Sequence, residues 1–300
     1  MSVLVATALD LCLEEPPLRT HPVVGFGRYL GSAERVVPAA PRGRALAAGA
    51  LVWLGGAAAA AVLASGVERV ATSVRRPWGA VVRGLVLWPL LSARMLFTEV
   101  TAVETALADG TAYGRSALSR IVSRDTDGLT DEEVRGAAVE SLAENLSDSL
   151  VAPLFWYLLA GLPGAAVYRF ANTADACWGY LTPRWRYAGR SAALADDVLN
   201  LVPARLTAAL LLGTTDRSDL RGEARKTSSP NAGWPMAAMA LRLDLRLTKR
   251  DHYDLNPSGA PPGPDAVPAA VRTARRTAAL AVALAASGEI LTRRNRGVRR

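Results

Sequence analysis

From Ala45 to Gly66 the chain carries no charge and is built mainly of Ala, Leu and Val. A helix needs about 20 such residues to cross the hydrocarbon of a bilayer. In lipid every backbone N–H and C=O must be satisfied within the protein, so this run commits the chain to helices in a membrane. A second apolar run, Trp78 to Phe97, is interrupted by Arg83 and Pro89. It can still cross if Arg83 snorkels or pairs, with Trp78 near an interface. The two runs read as a scaffold hairpin over 45–97. A third run, Ser149 to Tyr168, is uncharged but contains Pro153 and the break Gly161-Leu162-Pro163-Gly164. Two half-helices, dipping in and returning, satisfy its backbone better than one straight span. The expected fold class is therefore all-α: a multispanning helical membrane protein with polar loops and a broken, re-entrant helix at 149–168.

Half of the 300 residues are hydrophobic, yet Lys+Arg number 35 against 27 Asp+Glu, for a net charge of +8. The mean hydropathy is +0.16. A nucleic-acid binder interleaves aromatics with its arginines; here the arginines sit between apolar runs. That arrangement suits anionic lipid headgroups and anionic substrates and argues against nucleic acid. Cys12 and Cys177 make neither a disulfide framework nor a metal cluster. The opening MSVLVATALDLCL lacks a basic n-region and holds Asp10 within its apolar run, so a cleaved signal peptide is not expected. One membrane domain covers 1–300. It comprises an N-terminal helix and His-Pro loop (1–44), the hairpin (45–97), a site-bearing region (98–256), and a linker, last helix and basic tail (257–300). The tail RRNRGVRR points to a cytoplasmic C-terminus.

The polar residues gather in knots beside the apolar runs. Glu140, Glu144 and Asp148 stand four apart, on one face of a helix that Thr130 caps and Glu133 completes as a capping box. Upstream, Arg124 and Asp125 open the turn SRDTDGLT. Arg169, Asn172, Thr173 and Asp175 follow the third apolar run. Asp196, Asp197 and Asn200 precede an apolar helix, Val198 to Leu212, with Arg205 one turn beyond; acids there have a plain explanation in the helix dipole. Lys226 precedes Ser228-Ser229-Pro230-Asn231-Ala232-Gly233, which can open a helix near Trp234 and offer backbone N–H groups to an anion. His21-Pro22 lies within reach of Glu14, Glu15, Arg19 and Arg28, as a loop residue or a phosphate or proton-transfer contact. Oxygen ligands in pairs suit Mg²⁺ bridging substrate phosphates, and nearby cations suit phosphate or carboxylate. The pattern fits phosphoryl or acyl transfer at a membrane surface. It also fits an intramembrane prenyl- or lipid-diphosphate transferase, or a transporter with buried ion pairs.

Five blocks in order resemble the adenosylcobinamide-phosphate synthase family, the CobD/CbiB type: DLCLEEPPLRTHPVVGFGRYL, SRDTDGLTDEEVRGAAVESLAENLSDSLVAPLF, GLPGAAVYRFANTADACWGY, GRSAALADDVLNLVPARL and SSPNAGWPMAAMA. The family's opening usually reads Gly-Asp-Pro where this chain has Glu14-Glu15-Pro16. The resemblance implies a multispanning enzyme of the inner membrane. It would join aminopropanol, or its O-phosphate, to a propionate carboxylate of adenosylcobyric acid at the expense of ATP with Mg²⁺. No ATP-binding motif is recognisable, so the nucleotide rests on the resemblance alone. On this reading His21, Asp125, Glu140, Glu144 and Asp175 are catalytic. Arg124, Asn145, Asn172, Thr173, Arg205, Lys226 and Asn231 bind substrate, and Glu144, Asp148, Asp196 and Asp197 hold metal. The active site would be cytoplasmic.

Overall fold

The computed structural model describes residues 1–298 apart from Glu14, Arg76 and Arg217, with the backbone alone over 293–298. Glu14 as a neighbour of His21, and the basic side chains of the tail, lie outside the described residues. In chain order the helices are α1 (Ser2–Cys12), α2 (Pro22–Ala33), α3 (Arg42–Ser73), α4 (Trp78–Leu87), α5 (Ala93–Asp109), α6 (Thr111–Leu118) and α7 (Asp131–Leu146). A π-helical segment, Ser147–Val151, leads into α8 (Ala152–Trp178). Then come α9 (Arg190–Leu212), α10 (Leu220–Ala224), α11 (Gly233–Leu243) and α12 (Ala266–Val298). Between α11 and α12 lies an antiparallel hairpin of β1 (Leu247–Lys249) and β2 (Tyr253–Leu255), which pairs Lys249 with Tyr253. Apart from this hairpin and one isolated bridge, the described residues have the all-helical character expected of them.

Among the described residues, three helical stretches are long and apolar enough to cross a membrane: Arg42–Ser73, Trp78–Asp109 and Asp131–Trp178. In α3 the apolar window has a mean hydropathy of 2.0 and only 22% of it is buried within the protein. Leu51, Leu54, Val62 and Leu63 point outward. A patch of that kind is costly in water and ordinary in lipid.

The chain divides into two compact units. The first contains 1–92, 152–200 and 282–300. There α4 packs on α3, and Arg83 pairs with Glu68 at 2.6 Å instead of reaching for the interface. The second apolar run is not one helix, because a 3₁₀ turn at Trp88–Leu90 around Pro89 ends α4. The break expected in the third run falls at Gly161, whose φ of 67° and ψ of −157° are open to glycine and strained for other residues. A Cβ on Gly164 would lie 2.4 Å from the Trp156 carbonyl oxygen. A straight helix would set those residues about 12 Å apart along its axis, so the halves fold toward each other at Gly161.

The second unit contains 93–151 and 201–281. Here α7 packs against α5, α6, α11 and β1. Arg135 bridges from α7 to Glu104 on α5 at 2.9 Å, and Arg250 of the hairpin turn pairs with Glu133 at the start of α7. The stretch 214–272 is thus a folded part of this unit, with α10, α11 and the hairpin inside it. Two helices start earlier than the sequence suggests. α12 begins at Ala266, because Pro268 falls in its first turn, where no backbone donor is needed. α9 begins at Arg190, well before Val198.

Candidate functional site

The second unit places one polar cluster on α7. Thr130 caps the helix and Glu133 returns the bond, so the capping box read from the sequence is present. Three turns on, Glu140 is 6% exposed. Arg124 Nη2 donates to its Oε2 at 3.3 Å, and the Tyr253 phenol of β2 lies within electrostatic reach of the same carboxylate. Lys249, opposite Tyr253 in the hairpin, acts on Glu140 electrostatically. Burial first, and then the Glu140 charge, push the Tyr253 phenol far above its ordinary value, so it remains a neutral donor. Glu140 Oε1 is buried with no hydrogen-bond partner among the described residues. The 121–124 segment is held beside α7 by Ser141 Oγ, which donates to the Ile121 carbonyl at 2.8 Å. Asn145 Nδ2 donates to the Ser141 carbonyl at 2.9 Å, so this amide braces its own helix.

Glu144 is exposed on the next turn, and Asp148 lies in the π-helical segment. The helix that carries the three acids four residues apart passes into the π-helical segment at Ser147, so Asp148 stands in that wider turn while Glu140 and Glu144 stand in α7. Asp125 is exposed, and its Oδ1 accepts the Asp127 N–H at 2.9 Å, the turn chemistry that its position suggests.

The first unit holds a different network. Asp196 accepts from Asn172 Nδ2 at 3.3 Å and from Asn200 Nδ2 at 3.1 Å. Asn200, 2% exposed, in turn accepts from the Tyr168 hydroxyl at 3.0 Å. Arg169 reaches Ser92 Oγ at 3.1 Å and Asn172 Oδ1 at 3.4 Å. Thr173 back-bonds to the Arg169 carbonyl at 2.7 Å, which turns its hydroxyl into its own helix. Asp175 is within electrostatic reach of Asp197. Burial pushes the Asp197 carboxyl above its ordinary range. Since α9 starts at Arg190, Asp196 and Asp197 stand in its second turn. The dipole effect fades within the first turn, so that explanation of the acids is withdrawn.

His21 is also in the first unit, as the N-cap of α2. Its Nδ1 accepts the Val23 N–H at 3.2 Å, and its Nε2 meets Glu15 Oε2 at 2.9 Å. With Nδ1 accepting, the neutral ring carries its proton on Nε2, so both nitrogens are engaged.

Around α11, in the second unit, Lys226 donates to Glu223 at 2.7 Å and to the Asp254 carbonyl at 3.0 Å. The Asn231 and Ala232 N–H groups of the SSPNAG turn are met by Ser229 Oγ at 3.2 and 3.1 Å. Arg205 donates to Asn231 Oδ1 at 3.1 Å and lies 4.6 Å from the centre of the Trp234 ring. The anion contact expected of this turn thus meets a lysine and two amides that already have acceptors.

The structure brings together Arg124 with Glu140, Asn172 with Asp196, Asp175 with Asp197, and Arg205 with Asn231. Arg124, Asp125, Glu140, Glu144, Asn145, Asp148, Arg205, Lys226 and Asn231 belong to the second unit; His21, Asn172, Thr173, Asp175, Asp196 and Asp197 belong to the first. Among the described residues no three His, Cys, Asp or Glu side chains converge to hold a metal ion. Tyr253 and Lys249 escaped the sequence reading. Their one available signal was the short alternation LTKRDHYDL around a polar turn.

The family model described as "CobD/Cbib protein" matches residues 3–281. A "Probable cobalamin biosynthesis protein CobD" of Methanothermobacter thermautotrophicus is 37% identical over 262 residues, covering 84% of this chain and 85% of that one. The "Cobalamin biosynthesis protein CobD" of Chromobacterium violaceum is 42% identical over 254 residues, covering 81% and 79%. Its namesake in Brucella suis is 39% identical over 272 residues, covering 83% and 81%. No solved structure matches the chain. A match over nearly the whole length, with the SRDT, ENLSD, ANTAD and SPNAGW blocks inside it, makes this chain a member of the CobD/CbiB family.

Proposed function

We propose that this chain is a cobalamin-biosynthetic ligase of the cell membrane. It joins the amine of aminopropanol, or of its O-phosphate, to a propionate carboxylate of adenosylcobyric acid. Membership of a family whose relatives are named for cobalamin biosynthesis carries the reading. The cluster at Glu140 supplies chemistry that suits it. The corrinoid carboxylate takes the γ-phosphoryl group of ATP to become an acyl phosphate, and ADP leaves. The amine then attacks the acyl carbon, phosphate departs with the C–O electron pair, and the nitrogen gives up its protons.

Arg124 and Lys249 put positive charge where carboxylate and phosphate oxygens must be held. Glu140, fixed through Oε2 by Arg124, has in Oε1 an acceptor for an ammonium proton. The described residues do not form an all-protein metal cage. They suit a Mg²⁺ carried on phosphates, which needs only one or two carboxylates: Glu144 and Asp148 would supply them in the second unit, and Asp196 and Asp197 are the separate pair of the first. Such an ion would neutralise phosphate charge. The site faces the cytoplasm, where ATP is.

The test uses the full chain in detergent with adenosylcobyric acid, aminopropanol or its phosphate, ATP and Mg²⁺. The expected product is the amide, detected by mass. Folded protein that yields none sinks the reading. Adding hydroxylamine, an amine already unprotonated at neutral pH, separates the two steps by trapping the acyl phosphate as a hydroxamate. Glu140→Gln should lower amide formation about 100-fold while hydroxamate still forms.

A further inference from the structure

The turn between α8 and α9, in the first unit, is used by none of the chemistry above. It gathers cations and aromatics at one level. Arg42, the first residue of α3, and Arg186 both stand over the Tyr187 ring, at 5.7 and 5.8 Å from its centre. Both are exposed, and among the described residues neither has an acidic partner. Arg184 differs: it stacks on Trp185 at 4.4 Å and reaches Glu34. Two like charges drawn to one ring without a carboxylate repel each other, and an anion placed among them relieves that repulsion.

The depth of this cluster is set by α3. Its lipid-facing apolar run begins at Ala45, directly beyond Arg42 and Arg44. A Cβ on Gly49 would lie 2.0 Å from the Ala188 carbonyl oxygen, so the turn is pressed against the first two turns of α3. Leu181 is 88% exposed and Tyr180 47% exposed on the same turn. An outward leucine, a tyrosine and stacked arginines at the end of a spanning helix have the composition of a hydrocarbon–headgroup boundary.

From this geometry we infer an anionic phospholipid site. Arg42 and Arg186 bind the headgroup phosphodiester, Tyr187 holds the two guanidiniums in place, and Leu181 enters the acyl boundary. Free phosphate shares the phosphodiester's charge, but it gives no role to Leu181 and no reason for the level shared with α3.

The test reconstitutes the full chain in nanodiscs of equal phosphatidylglycerol and phosphatidylcholine, releases it, and weighs the lipids it retains. The wild-type chain should keep phosphatidylglycerol in preference. R42Q/R186Q should lose that preference by about fivefold for each guanidinium removed, with an unchanged melting temperature. R221Q/R225Q, which removes two exposed cations in and just after α10, should leave it intact. If the double variant fails to fold, R186Q alone carries the comparison. Three results overturn the site: no preference in the wild-type chain, equal loss in both double variants, or displacement of the lipid by millimolar inorganic phosphate. The readout needs neither corrinoid nor ATP.

Discussion

Glu140 on α7 rests against a guanidinium and a phenol, whereas Asp196 on α9 rests against two carboxamides. Both acids sit on a helix beside an apolar run, and in the sequence they look interchangeable. The partners make them different objects. An arginine cancels the charge of a buried carboxylate, and the pair stands or falls together. Two amides orient a carboxylate by donating directed hydrogen bonds to its lone pairs. The α7 cluster therefore couples stability to a charge pair, and the α9 amides fix the direction in which the Asp196 carboxylate faces.

The largest effect should come from the ion pair. Arg124→Ala leaves Glu140 buried beside a lost partner and should destabilise the protein by about 3 kcal/mol. Asn172→Ala removes a neutral donor to Asp196 and a long contact with Arg169, leaves no buried charge without its ion pair, and should cost only about 1 kcal/mol. Unfolding in detergent measures both. Equal losses would break the contrast, and an R124A/E140Q protein that regains part of the loss would sharpen it.

A smaller effect tests how each cluster is anchored. Thr130→Ala removes half of the capping box and should cost about 1 kcal/mol. Hydrogen exchange should then rise first at residues 131–134 and leave the start of α9 as it was. Uniform loosening of both would show that the cap does not act locally.

What could be read from the sequence was local. Thr130 and Glu133 are three residues apart, and the Gly161-to-Gly164 break announces itself in four letters. Arg124 with Glu140 spans one turn and part of a helix. Tyr253 could not be found this way, because it reaches Glu140 from a hairpin far along the chain, in a stretch whose polar residues look like a loop. The start of α9 differs for a related reason: Asp196 and Asp197 resemble the acids of a first turn, while GRSAAL ahead of them marks the true start weakly, with a glycine at the N-cap and its serine already inside the helix. Glu223 lies three residues before Lys226, but the lysine's other acceptor, the Asp254 carbonyl, is brought to it only by folding.

The smallest effects lie in the pH dependence, and they take opposite signs in the two units. Asp254 of the hairpin accepts from Arg246 at 3.0 and 2.7 Å, and this bonding holds its carboxyl below the ordinary aspartate value of 3.8. Its contribution is present above 3.8 and is lost as the pH falls through the lower folded value. Burial holds Asp197 above 3.8, so the folded state gains from protonating it, and its contribution grows as the pH falls through that higher value. At neutral pH Asp254→Asn should therefore lower the melting temperature slightly, and Asp197→Asn should raise it slightly. Both differences should vanish in strong acid, where the parent carboxyls are already neutral. An Asp197→Asn protein less stable than its parent at neutral pH would mean that its negative charge is stabilised in the fold, and that burial does not govern this carboxyl.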